Sequence, residues 1–336
     1  MASSDQIPVP AEPPQKFHFN YTVRKGYFLQ SEDSTNDKDF DFRKSNFGLI
    51  NRSYDTDPSS EEGEEQWKRF ERYVRTQESR TKEGESFKVL FLGRHGQGWH
   101  NVAEAKYGTK AWDCYYSALD GADGLTWADA KLTPTGQSQA LDAHSLWKTQ
   151  LTHGGLTAPE AYYVSPLTRT IETADLTFRN LSSLPPNRSY KPLVKELLRE
   201  VLGVHTCDRR SPKSVLQKEF PHLTFEDGFT ETDELWEADY REPRTARRYR
   251  LATLLDDIFA NGGDDDGEGA VFVSLTAHSG AIASILEVVG HRAFALETGG
   301  VIPVFVRGVR VSGQRVRPPR EPSDGPPLCD GPPPSL

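Results

Sequence analysis

Cysteine is scarce in this chain of 336 residues: Cys114, Cys207 and Cys329 are three, odd in number and far apart. That scarcity excludes a dense disulfide framework and predicts reduced thiols. There is no C-x-x-C pair and no histidine cluster at zinc-ligand spacing, so no metal site and no cofactor are expected. No apolar run is long enough to cross a bilayer. The first residues, Met-Ala-Ser-Ser-Asp-Gln-Ile-Pro, lack the basic-then-apolar order of a secretory signal. Excess positive charge is missing as well: 40 Lys and Arg stand against 49 Asp and Glu, a formal charge of −9. A broad nucleic-acid or anionic-membrane surface needs the opposite sign. These absences predict a soluble, cytoplasmic protein with a small-molecule partner, and they leave its oligomeric state open.

What is present is enough apolar residue, 36%, to build a sizeable core. The chain is organised around Phe87-Lys-Val-Leu-Phe-Leu-Gly-Arg-His-Gly-Gln-Gly-Trp-His-Asn101. Val89 to Leu92 read as a buried strand that stops at Gly93. Arg94 and His95 then fall at the carboxyl end of the strand, where open α/β sheets face their ligands. A second strong strand, Ala270-Val-Phe-Val-Ser-Leu-Thr276, ends the same way in Ala277-His-Ser-Gly280. Between them Leu132-Thr-Pro134 opens a helix with Thr133 as N-cap and Pro134 at its first position. Ala140, Ala143, Trp147 and Leu151 form its buried face. The short strand Ala161–Val164 runs into Ser165-Pro166 and a helix whose first turn carries Arg169. Leu193 to Gly203 offers two candidate acids, Glu196 and Glu200.

Around this core, 1–16 and the Pro-rich 317–336 read as disordered tails that add little to the core. Residues 17–50 read as an aromatic extension and 55–65 as a solvated acidic loop. Trp67, Phe70 and Val74 mark a helix from about 66 to 76. Val102 to Tyr107 reads as a helix pointing its N-terminus at the crevice, and Trp112–Trp127 as a long loop. The segment 205–244 reads as an insertion able to cover the crevice. Within it Arg209-Arg210 is read as solvated, with a second anion as the alternative. A helix from about 244 to 260, closed by Gly262-Gly263, precedes an acidic loop, and 303–311 reads as an edge strand. The order of elements is that of an α/β protein with a mainly parallel sheet, a single domain over 17–316 with 17–86 as its N-terminal extension.

Two histidines, two arginines and a carboxylate without metal-ligand spacing suggest phosphoryl transfer through a covalent histidine. Neutral imidazole is a good nucleophile when one nitrogen is held and the other is free. Guanidinium groups match phosphate oxygens in pairs, and a protonated glutamate can donate to the leaving alkoxide.

In order, Leu92-Gly-Arg-His-Gly-Gln-Gly-Trp-His-Asn101, Leu132-Thr-Pro-Thr-Gly136, Ser165-Pro-Leu-Thr-Arg-Thr-Ile-Glu-Thr-Ala174, Leu198-Arg-Glu200 and Ala277-His-Ser-Gly280 resemble the histidine phosphatase superfamily. Asn46-Phe-Gly-Leu-Ile50 further resembles fungal phosphomutase-like proteins. The resemblance implies a phosphoglycerate mutase-like three-layer sandwich. It makes His95 the nucleophile and assigns Arg94, Arg169 and His278 to the phosphoryl group. Glu200 matches the acid position, with Glu196 the runner-up. Asn101 matches a phosphate-contacting asparagine, and Gln97, Gly98 and Ser279 lie at substrate-binding positions. Mutases of the family carry a Ser or Thr where this chain has Gly98, and the Arg-His-Tyr-Gly run that follows their acid is missing. The expectation is therefore a metal-independent phosphatase acting on a small phosphorylated metabolite. The alternatives are a mutase, or a relative that uses the pocket for binding or acid–base chemistry.

Overall fold

The computed structural model describes residues 16–58, 63–261, 269–329 and 331–333. Nearly all of the expected N-terminal tail, part of the acidic 55–65 segment and the Gly262-Gly263 closure lie outside the described residues.

The chain runs β1 (Phe17–Val23), α1 (Gln66–Ser79), β2 (Glu85–Arg94), α2 (Trp99–Tyr107), α3 (Thr109–Cys114), β3 (Gly121–Ala122), β4 (Leu125–Thr126) and α4 (Pro134–His153). It continues through β5 (Ala161–Val164), α5 (Thr168–Phe178), β6 (Pro192–Val194), α6 (Lys213–Glu219), β7 (Thr224–Phe225), α7 (Arg244–Asn261), β8 (Phe272–Ala277), α8 (Ser279–Val288) and β9 (Val301–Ser312). Seven strands form one sheet in the order β1-β9-β2-β8-β5-β6-β7. From β2 to β7 all neighbours are parallel, while β9 and β1 join antiparallel at one side.

Side chains alternate across this sheet, as the strand period of two requires. Leu90, Leu92, Val273, Leu275, Ile302 and Val304 point into one core, with Leu251, Leu255, Ile282 and Ile285 of α7 and α8. Val89, Phe91, Phe272 and Phe305 point into the other, with Trp67, Phe70 and Val74 of α1 and Ala143 and Trp147 of α4. Burial on both faces explains why β2 and β8 read as continuous apolar runs. The result is the expected α/β three-layer sandwich with a mainly parallel sheet.

Several expectations change. The strand read at 303–311 is not an edge, because β1 pairs outside it along Val306–Ser312. Trp112–Trp127 is not a plain loop: it holds the end of α3, a 3-10 turn and the β3–β4 hairpin, packed as Trp112, Trp127, Ala103 and Ala130 around Cys207. The 205–244 insertion contributes β7 to the sheet as well as a cover.

The reduced-thiol expectation fails for two of the three cysteines. Cys114 and Cys329 form a disulfide, their Cα atoms 5.2 Å apart, and only Cys207 is free, and buried. Sequence spacing hid the pair because the C-terminal segment folds back over the insertion. Tyr240 donates to the carbonyl of Glu321 at 2.9 Å, Arg320 lies 3.9 Å over the Tyr240 ring, and the Cys329 amide donates to the carbonyl of Cys114. The described part of 317–336 is thus a strap with defined contacts, not the disordered tail expected. Since the cytoplasmic reading rested partly on reduced thiols, the disulfide removes that support. No helix among the described residues is long and apolar enough to cross a membrane.

Candidate active site

Strand register assembles the centre of the site. β2 and β8 are parallel with Arg94 opposite Ala277, so the residues that follow, His95 and His278, emerge side by side. The His95 amide donates to the carbonyl of Ala277 at 3.0 Å, and the two rings lie 5.1 Å apart. β5 pairs on the other side of β8 with Val164 opposite Thr276, which delivers Ser165 to the same edge. Its hydroxyl meets His278 Nε2 at 2.7 Å. Arg169 follows in the first turn of α5, 1% exposed.

His95 Nδ1 lies 2.7 Å from the carbonyl of Gly96. A carbonyl only accepts, so Nδ1 carries the proton and Nε2 keeps its lone pair. Burial above all, and then the positive charge of Arg169, hold the His95 pKa well below the usual 6.5. His278 is lowered by the same two causes in the same order. Both imidazoles are therefore neutral at neutral pH. Gly96 in turn donates its amide to Thr173 Oγ1 at 3.0 Å, which ties the loop to α5.

Arg94 donates through Nη1 to the carbonyl of Leu296 at 2.8 Å. Arg169 reaches the carbonyl of Cys207 at 2.6 Å and Asp208 Oδ1 at 2.9 Å. The insertion thus closes onto the site through Thr206–Asp208, where Asp208 is shared with Arg241 at 2.9 Å. Arg94 and Arg169 each keep a buried Nε without a partner.

Glu200 and Glu196 separate clearly. The Glu200 carboxylate sits on the N-terminus of α8, accepting from Gly280 N at 3.0 Å and Ser279 Oγ at 3.3 Å, and also from Val201 N at 2.9 Å. Glu196 is buried between Arg199 at 2.9 Å and Arg210 at 2.7 Å. That pairing corrects the reading of Arg209-Arg210 as solvated: Arg210 is buried, and its guanidinium also reaches Thr230 and Thr232. Arg209 pairs with Asp120 at 2.8 Å.

The expected substrate-binding residues are mostly occupied with the loop itself. Asn101 Oδ1 accepts from the Gly98 amide at 3.0 Å, capping α2. Gln97 Oε1 accepts from the Thr133 hydroxyl at 2.8 Å, while Thr133 Oγ1 caps α4 by accepting from Gly136 N at 3.1 Å. Gly98 serves as the N-cap of α2. Three residues at the site were not singled out from sequence: Ser165, Asp208 and His100. Ser165 and His100 stand inside the quoted motifs, but nothing in a sequence announces their partners.

One group among the described residues has metal-ligand character, His205, Cys207 and Asp208, with ligand atoms within 4.8 Å of one another. Its donors are poorly suited to a cation. Asp208 already carries Arg169 and Arg241, and burial pushes the Cys207 thiol well up.

The chain is 50% identical over 290 residues to a "Probable phosphoglycerate mutase" of Arthroderma benhamiae, covering 86% of this chain and 84% of that one. It is 41% identical over 219 residues to "Phosphomutase-like protein 3" of Candida albicans, 65% of each chain. Among solved structures, "Mycobacterial hydrolase 1" aligns with 68% of this chain and 99% of its own, at 17% identity and a TM-score of 0.39. The family model described as "Histidine phosphatase superfamily (branch 1)" matches residues 122–295, which include Arg169, Glu200 and His278 but begin beyond His95. On the family match and the Arthroderma relative together, the chain belongs to the histidine phosphatase superfamily.

Proposed function

We propose that the protein is a metal-independent phosphatase that hydrolyses a small phosphomonoester through a phosphohistidine on His95. The observation that carries this reading is the state of His95: neutral, buried, its Nδ1–H donating to the Gly96 carbonyl and its Nε2 lone pair left for attack. Nε2 attacks phosphorus as the bond to the leaving oxygen breaks, and the leaving alkoxide takes a proton from Glu200. Water then attacks the phosphohistidine, giving its proton to Glu200 as the phosphorus–nitrogen bond breaks and the electron pair returns to Nε2. Arg94, Arg169 and His278 surround the transferring group with donors. Two guanidinium groups supply the charge that a divalent ion supplies elsewhere.

Hydrolysis is favoured over isomerisation by Gly98. A Cβ there would stand 2.6 Å from His100 Nδ1 and 3.5 Å from Arg169 Cδ, so the position has no room for the hydroxyl side chain of the mutases.

His95→Ala is expected to abolish turnover with an unchanged melting curve, and EDTA to leave wild-type activity intact. Quenching at alkaline pH during turnover should trap acid-labile phosphate on His95. Strict dependence on a divalent ion would overturn the mechanism, as would robust activity in His95→Ala. Release of free phosphate measured against interconversion of 2- and 3-phosphoglycerate separates phosphatase from mutase.

A further inference from the structure

A third histidine in this crevice has no part in the steps above. His100 is 9% exposed, and its ring lies 5.3 Å from that of His95, nearly the distance of the His278 ring. Its Nδ1 is buried and has no hydrogen-bond partner. A histidine that merely fills a core usually satisfies its ring nitrogens. His291 does so in this protein, with Nδ1 on the carbonyl of Arg292 and Nε2 on the Ser31 hydroxyl at 3.0 Å.

The unpaired nitrogen has company. Nδ1 of His278, Nε of Arg94 and Nε of Arg169 are also buried and unpaired. The four belong to residues that act electrostatically on one another around His95. Several unpaired nitrogens in one buried place are costly unless something rich in acceptors completes them. Burial first, and the charge of Arg169 second, keep His100 neutral. It therefore offers one N–H and adds no charge. Gly98 makes this arrangement possible, because any side chain there would collide with the His100 ring.

We propose that His100 is a phosphoryl-binding residue: in the tautomer protonated at Nδ1, it donates to a non-bridging oxygen of the group passing to and from His95. The proposal rests on the phosphohistidine reading and adds a donor to it. A neutral donor follows the charge that builds on those oxygens during transfer without adding a cation that would hold the product phosphate. The pairing of a bare position 98 with a histidine at 100 then becomes a specificity device. The imidazole takes the space of a hydroxyl and offers a hydrogen bond in its place.

The test compares His100→Ala, His100→Leu and His100→Asn with the wild type. Leucine keeps bulk without a donor, and asparagine restores an N–H near the place of Nδ1. Nitrophenyl phosphate turnover, inhibition by orthovanadate and the melting temperature are read for each. The Ala and Leu variants are expected to lose about tenfold to a hundredfold in kcat/KM, the range for a hydrogen bond to a charged group. Vanadate affinity should fall by a similar factor, and asparagine should recover most of both. Unchanged vanadate affinity in the folded Leu variant would overturn the proposal, as would an Asn variant no better than Leu. If the wild type yields no phosphate on His95, the phosphohistidine reading fails, whereas the vanadate comparison still scores His100 as an oxyanion ligand.

Discussion

Glu196 and Glu200, four residues apart, show how little sequence distance says about role. Glu200 ends on the amides of α8 beside the histidines, whereas Glu196 is enclosed by Arg199 and Arg210. Glu200→Gln should cost about a hundredfold to ten-thousandfold on alkyl phosphates. It should cost much less on nitrophenyl phosphate, whose leaving group needs no proton. Glu196→Gln should instead remove about 3–5 kcal/mol of stability, since it leaves buried arginines short of a counter-charge. Urea melts and turnover of the two substrate types separate the outcomes, and the opposite pattern would exchange the two roles. At this scale the site was legible where a residue directly follows a long apolar run, His95 after β2 and His278 after β8, or opens the helix after a strand, as Arg169 does beyond β5. It was illegible where a role depends on a distant partner. Asp208 matters because Arg169 and Arg241 converge on it, Ser165 because it meets a ring 113 positions away.

Among the elements, the loop after β2 and the first turn of α4 approach each other closely on both sides. A Cβ on Gly136 would stand 2.8 Å from Gln97 N, and one on Gly96 would stand 2.8 Å from the Gly136 carbonyl carbon. Both obstacles are backbone and cannot swing aside. In an ordinary helix Gly→Ala gains about 1 kcal/mol. Gly136→Ala is expected here to lower both the melting temperature and kcat/KM, since the displaced loop carries His95. A stabilised variant of full activity would show that the loop yields. The elements themselves were readable from periodicity and caps: α1 from Trp67, Phe70 and Val74, and α4 from Thr133 and Pro134. Pairing was less so. The edge reading of β9 fits its expected start at Pro303, since proline lacks the ladder N–H. β1 reaches only Val306–Ser312, so the proline lies beyond its partner's span in an otherwise interior strand.

For the molecule as a whole, histidines with lowered pKa values bias stability toward neutral pH. His95, His100 and His278 are held neutral by burial, and burial lowers His205 to about 4. In the unfolded chain each takes up a proton near pH 6.5. Below that value the unfolded state binds more protons than the folded one. Stability that is complete above pH 7 is therefore lost as the pH falls, by up to about 1.4 kcal/mol per pH unit for each histidine. Urea unfolding at pH 7.5, 6.5 and 5.5 should show the loss beginning near 6.5. A level profile down to 5.5 would mean that these rings protonate within the fold. The disulfide acts at the same scale in another way. Cys114 and Cys329 close a covalent ring, 215 positions around, that holds Arg169, Glu200 and His278, while His95 stands on the open arm outside it. A protease that nicks the ring once makes two fragments that remain a single molecule until a thiol is added. The cut chain would migrate intact without reductant and split with it, and both halves of the active site would stay tethered in between.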